Sequence, residues 1–178
     1  FINIYLIYSC YFLLFIYIFN INCDKVYMKL DTIDYKILTE LQKDGRESAS
    51  NIAEKINVSV PTITERIRKL QDSGVIIGFQ AVVDPASVGL DVAAIITVIS
   101  GSSQYYKEVT LAAEDTPEVV QCFSTTGNGS HTLLVTTKNS NTLEELLRKI
   151  QSWPGVTRTE TQIILSSYKS GTIFPILE

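Results

Sequence analysis

Histidine and cysteine are scarce in this 178-residue chain, with one His and three Cys. Three cysteines cannot build a disulfide framework, and no Cys/His cluster has the spacing of a zinc site. A glycine-rich phosphate loop is also missing. Gly127-Asn128-Gly129 lacks both the spacing and the following Lys-Ser/Thr. There is no excess of basic residues either: 15 Lys and Arg stand against 19 Asp and Glu, for a net charge of −4. The charged fraction of 19% nevertheless excludes a disordered acidic or basic tail protein. The length suffices for one large or two small domains with a real core.

Charge is absent altogether from Phe1 to Cys23, a run long enough to span a bilayer. Residues 1–27 hold nine of the sixteen Tyr and Phe residues and carry much of the positive mean hydropathy, +0.17. No Lys or Arg precedes the run, so a secretory signal with a basic start is not expected. Only Lys25 follows closely, which leaves the orientation signal weak. The first Met is Met28, just before a well-patterned sequence. Residues 1–27 are therefore expected to be an upstream translation extension, with Met28 as the natural start. A membrane anchor through 1–23 and an apolar interaction arm are the alternatives.

From Met28 the pattern changes. Asp31 followed by Asp34 reads as an N-cap with an acidic first turn. Ile33, Ile37, Leu38 and Leu41 then share one helical face, and Gly45 stops the helix. A second helix starts near Ser48, with Ile52, Ala53 and Ile56 inward. Asn57 ends it, because Asn tolerates the left-handed turn conformation. Ser59 caps a third helix with Pro61 in its first turn; Ile63, Ile67 and Leu70 face inward and Gly74 terminates it.

Two helices of about nine and about fourteen residues joined by a short turn, and braced by a preceding helix, form a helix-turn-helix. Ser59, Pro61, Thr62, Glu65, Arg66, Arg68 and Lys69 are the residues expected to face DNA. The small polar groups at the helix start can approach base edges, and the cations can reach phosphates or guanine. A purely structural reading exists too. Late basic residues complement the helix dipole, and Glu65 with Lys69 is an ordinary i,i+4 pair. Residues 28–84 carry eight basic and nine acidic residues, so affinity must come from local placement and assembly.

The motifs here are Leu30-Asp31 with Asp34, Asp44-Gly45-Arg46, Ser59, Arg66-Ile67, Leu70, Gly74-Val75-Ile76 and Val83-Asp84-Pro85. In this order, without a gap, they resemble the N-terminal half of the Lrp/AsnC family of transcriptional regulators. The resemblance continues through Pro117-Glu118-Val119-Val120, Thr126-Gly127, Pro154-Gly155-Val156 and Thr159-Glu160-Thr161. It therefore covers almost all of 28–178.

The second half reads on its own as β, α, β, β, α, β. The strands are expected at Val92–Ile99, Val119–Thr126, His131–Thr137 and Val156–Ser167. The helices are expected over 103–115, with Tyr106, Val109 and Ala113 inward, and over Thr142–Gln151. This is the ferredoxin-like order. The fold class is therefore α+β: a winged-type helix-turn-helix domain (28–75), a β-strand linker (76–90) and a ferredoxin-like (RAM) domain (91–178). A four-stranded sheet covered by helices on one face needs cover on the other, which predicts a homodimer by sheet packing.

The resemblance implies that the second domain assembles dimers into tetramers or octamers and binds an amino acid between dimers. The family's ligand loop commonly reads Gly-Asp-Tyr-Asp, and this chain has Gly127, Asn128, Gly129 and Ser130. Both acidic residues and the aromatic are gone, so an α-ammonium group would meet only neutral acceptors. With His131 these four residues form the candidate effector site, although a solvent-facing strand position is the plainer reading of His131. Cys122 reads as a small packing residue and Trp153 as a helix-end packing residue. No catalytic group, metal site or cofactor is expected. The expected function is a cytoplasmic, nucleoid-associated, sequence-specific regulator of double-stranded DNA, responsive to a small effector. The alternatives are an oligomeric small-molecule sensor without DNA binding and a membrane-tethered regulator.

Overall fold

A computed structural model describes residues 29–168, which fall into two compact units, 29–80 and 81–168. The expectations for 1–27 lie outside the described residues. Among the described residues no helix is long and apolar enough to cross a membrane.

The first unit contains three helices, α1 (Thr32–Lys43), α2 (Ala49–Ile56) and α3 (Val60–Asp72). Each starts where a side-chain oxygen accepts from free backbone N–H groups. Asp31 accepts from Ile33 N and Asp34 N, and the Asp34 carboxylate accepts in return from Asp31 N, closing a capping box. Ser48 caps α2, and Ser59 caps α3 through Thr62 N. Asn57 ends α2 in the left-handed region at φ 55°, ψ 52°, which turns the chain into α3. Ile37, Ile52, Ala53, Ile63 and Leu70 form the buried core, with Ile33, Leu38, Leu41 and Ile67 packed at its margin.

The linker differs from expectation. Residues 76–83 form no strand, and Ile77 and Val82 are 98% and 95% exposed. The β-branched residues here supply propensity, but a strand exists only where a neighbour accepts its ladder bonds. No described segment pairs with this one. A short 3-10 turn at Ala86–Val88 follows Asp84-Pro85, held by Ser87 N donating to the Asp84 carboxylate.

The second unit contains β1 (Val92–Ser100), α4 (Tyr106–Glu114), β2 (Val119–Ser124), β3 (His131–Thr137), α5 (Ser140–Gln151) and β4 (Val156–Ile163). The sheet order is β2-β3-β1-β4 and all three pairings are antiparallel. Alternation along β1 and β3 sends Ala94, Ile96, Val98, Leu133 and Val135 to one face. There they meet Val109 and Ala113 of α4, Leu143, Leu146 and Ile150 of α5, and Trp153. The opposite face presents Ile95, Ile99, Leu134 and a half-exposed Phe123 with no helix over them.

Several boundaries moved: β1 runs on to Ser100, and α5 starts at Ser140 rather than Thr142. A 3-10 turn over Ser103–Tyr105 precedes α4, and Tyr106 is only partly inward, 38% exposed with its ring against the buried His131. Strand β2 stops at Ser124 and β4 at Ile163. Beyond β4, one bond from Ile164 N to Ala93 O continues the ladder, and Leu165 is then exposed.

Candidate nucleic-acid interface and effector loop

Helix α3 turns Ile63, Ile67 and Leu70 inward, which leaves the other side of the cylinder to solvent. Ser59, Pro61, Thr62, Glu65, Arg68 and Lys69 are all exposed. The N-terminal end of this face is uncharged; the Ser59 and Thr62 hydroxyls lie 2.7 Å apart. The cations come later and carry internal partners. Arg68 pairs with Glu65 at 2.8 Å and Asp72 at 3.2 Å, and Lys69 lies 3.7 Å from Glu65. The Arg68 guanidinium holds the Glu65 carboxyl below its usual range. Such exposed pairs are weak and screened by salt, so a phosphate can compete for the cations.

Arg66 behaves differently from its neighbours. Its side chain is 27% exposed, and Nη1 donates to Asp31 Oδ2 at 2.7 Å and to Asp34 Oδ1 at 2.9 Å. The sequence grouped it with Arg68 and Lys69 as a freely reaching cation; the structure attaches it to the start of α1. Lys29, which the sequence did not single out, joins Arg66 and its partners Asp31 and Asp34, with Pro61, Thr62, Glu65 and Lys69, around an open cavity of about 590 Å³. It precedes α1 in an irregular segment, so no periodicity marked it.

A second ionic cluster joins α1 to α2. Glu40 accepts from Lys43 at 2.6 Å and Lys55 at 2.8 Å, and Lys55 also reaches Glu47 at 2.6 Å. Hydrogen bonds from Lys43 and then Lys55 hold the Glu40 carboxyl at about 2, against an ordinary value of 4.5. A carboxyl depressed in the folded state adds stability above its unfolded value and loses it as pH falls toward the folded one. The first unit is therefore expected to lose stability between about pH 4.5 and 2. Glu40→Gln should flatten that part of a chemical-denaturation profile, and an unchanged profile would remove Glu40 from the account.

In the second unit the loop after β2 divides. Gly127 (φ 113°) and Asn128 are exposed, whereas Ser130 and His131 are 6% and 1% exposed. Ser130 N donates to Val98 O at 2.9 Å, and its hydroxyl lies 2.8 Å from Ser100 Oγ and 3.1 Å from Val98 O. His131 Nδ1 lies 3.0 Å from Ser130 Oγ, and the Tyr106 ring stands edge-on to the imidazole at 5.0 Å. His131 is thus not a solvent-facing strand residue. It lies opposite Val98 in the ladder, so alternation puts it on the helix-covered face with Leu133 and Val135. Burial pushes its pKa below the ordinary 6.5.

Gly129 explains part of the loop's sequence. A Cβ there would lie 2.3 Å from Thr97 Cγ2 and 3.2 Å from Val98 O, so the loop rests on β1 only because this residue has no side chain. Cys122 is half-buried, and burial, then Glu114, pushes its thiol pKa up, away from nucleophilic use.

Comparison with known proteins accounts for both units. Residues 30–77 match the winged helix-turn-helix DNA-binding family, and residues 92–174 match the Lrp/AsnC ligand-binding domain. The HTH-type transcriptional regulator FL11 of Pyrococcus horikoshii is 40% identical over 147 residues, 83% of this chain and 97% of that protein. The chain belongs to the Lrp/AsnC family. Among solved structures, Escherichia coli AsnC superposes with a TM-score of 0.76 at 31% identity, covering 82% of this chain and 98% of that one. A transcriptional regulator of Neisseria meningitidis, solved with L-methionine, gives 0.78 at 28%, covering 83% and 97%. This Lrp/AsnC protein is therefore a helix-turn-helix transcriptional regulator, with α2 and α3 as its helix-turn-helix and the four-stranded sheet as its ligand-binding-type domain.

Proposed function

We propose that α3 enters the major groove of double-stranded DNA, with Ser59, Pro61, Thr62 and Glu65 at base edges and Arg68 and Lys69 at phosphates. The observation that carries this reading is the division of its exposed face, with small uncharged groups at the N-terminal end and cations toward the other. That order matches a helix whose first turns approach bases while its later turns follow the backbone. Lys29, beside the same face, adds a further phosphate contact.

A second copy covers the open sheet face around Ile95, Leu134 and Phe123, and presents a second α3 to the next groove. Such dimers assemble further, to tetramers or octamers, and the avidity offsets the weak charge of each reader unit. An amino acid bound at the loop Gly127, Asn128, Gly129, Ser130 and His131 shifts this assembly, as the L-methionine complex of the Neisseria relative suggests. Asn128 and backbone groups are the accessible partners there for an α-ammonium, because the Ser130 hydroxyl bonds to β1 and to His131, and His131 is buried. The protein works on chromosomal DNA in the cytoplasm, with no cofactor and no catalytic step.

Anisotropy titrations of selected and random duplexes across a salt series test this. Binding that weakens linearly in log salt is expected, and Lys69→Ala should reduce the slope by about one. A panel of the twenty amino acids, read as thermal shift and as change in DNA affinity, tests the effector. Salt-independent or absent DNA binding would leave only the oligomeric-sensor reading.

A further inference from the structure

Of the three cations on α3, only Arg66 reaches another helix. Its Nη1 donates to two carboxylates at once, Asp31 Oδ2 at 2.7 Å and Asp34 Oδ1 at 2.9 Å. Neither carboxylate is a loose surface group. Asp31 Oδ1 accepts from Ile33 N and Asp34 N, and Asp34 Oδ2 accepts from Asp31 N, so both belong to the capping box of α1. Asp34 is 2% exposed. Its charge is tolerated at that depth because an amide and a guanidinium satisfy it. The bond to Asp34 anchors Nη1 of Arg66 to a buried carboxylate and so restricts where the rest of its guanidinium can go, whereas Arg68 and Lys69 are held only by exposed carboxylates. Along α3, Arg66 follows Glu65 directly and lies one turn after Thr62, so whatever fixes Arg66 also fixes the rotation of the exposed face.

We propose that Arg66 is a positioning residue: it does not touch DNA but ties α3, through Asp34 and Asp31, to the start of α1, and so sets the angle at which Pro61, Thr62 and Glu65 meet the groove. This rests on the reading of α3 as the DNA-facing helix. It changes the meaning of Leu30-Asp31 with Asp34 in the sequence. Those residues cap a helix and also form the seat into which the reading helix locks, although 32 and 35 residues separate them from Arg66.

The test is anisotropy titration of the full chain on its selected duplex and on a random duplex. R66A should lower affinity for the selected duplex by about tenfold or more while leaving the salt slope unchanged. D34N, on a different helix, should reproduce that loss. K69A should do the opposite, lowering the slope by about one with little change in sequence preference. The double change D34N/R66Q keeps a side-chain oxygen for the Asp31 amide and replaces the buried Arg66–Asp34 pair by neutral amides, leaving the exposed Asp31 carboxylate to solvent. It should recover most of the specific affinity, which no contact to DNA by Arg66 would allow. If R66A unfolds, the double variant decides alone. A slope reduced by about one in R66A, or a double variant without specific affinity, overturns the proposal. Absence of salt-dependent binding by the unaltered protein overturns both the proposal and the reading beneath it.

Discussion

Ile63→Ala is expected to unfold the first unit and abolish specific DNA binding, while the second unit keeps its own thermal transition. Ile63 is fully buried on the inner side of α3, among Ile37, Ile52, Ala53 and Leu70. Truncating such a residue costs about 2–5 kcal/mol, because the transfer free energy is lost and the surroundings collapse only in part. A unit of this size has roughly 3–8 kcal/mol in hand, at roughly 0.05–0.15 kcal/mol per residue. One alanine therefore removes most of the margin. Calorimetry should show the first transition moved down or missing and the second in place. Thr64→Ala, one residue along on the exposed side, should be close to neutral. Retention of the first transition in Ile63→Ala within a few degrees would mean that this core is held by something other than the Ile63 contacts.

Gly155→Ala should produce the corresponding loss in the second unit. Gly155 lies at φ +76°, where an L side chain is strained by about 1 kcal/mol or more. A Cβ there would also lie 2.2 Å from Tyr105 Cγ and 2.3 Å from Tyr105 Cβ. The Tyr105 Cβ is tied to its backbone, so rotating the ring cannot clear the clash. The chain would have to shift at the bond from Gly101 N to Gly155 O, which joins the two ends of this corner. Strain and overpacking together should cost about 3 kcal/mol or more and lower the second transition by 10 °C or more, on the order of 4–8 °C per kcal/mol. Gly89→Ala is the control. Its φ is +78° in the same unit, but nothing lies within 4 Å of the added carbon, so only the strain applies. Tyr105→Ala should rescue part of the Gly155→Ala loss. Equal losses at Gly89 and Gly155 would remove the steric half of the account.

The helix boundaries were legible because the signals for them act within a few residues. Asp31, Ser48 and Ser59 cap where a short polar side chain can reach N–H groups two or three positions on, and Asn57 takes the one left-handed non-glycine φ among the described residues. The spacing of Ile63, Ile67 and Leu70 likewise announced which side of α3 is buried. The burial of His131 is not legible, because a strand's period is visible in sequence but its phase is not. Pairing with β1, Val98 opposite His131, decides which side faces the helices. Residues 76–83 have strand propensity without a strand, because propensity does not supply a pairing partner.

The chain's caps, periods and ordered motifs determined the class: a helix-turn-helix followed by βαββαβ. The sequence also determined where the acidity lies. Residues 28–84 are nearly balanced, and the larger negative share falls on the half that need not approach DNA. Only the tertiary structure decided what the candidate residues do with their side chains. Arg66 turns to Asp31 and Asp34, Arg68 and Lys69 turn to Glu65, Ser130 and His131 turn inward, and Lys29 arrives beside the reading face. Hydrogen bonds and packing act locally along the chain only while they build helices and turns. An ion pair between residues 32 apart, or the face a strand presents, depends on how finished elements dock, and no neighbour in the sequence encodes it.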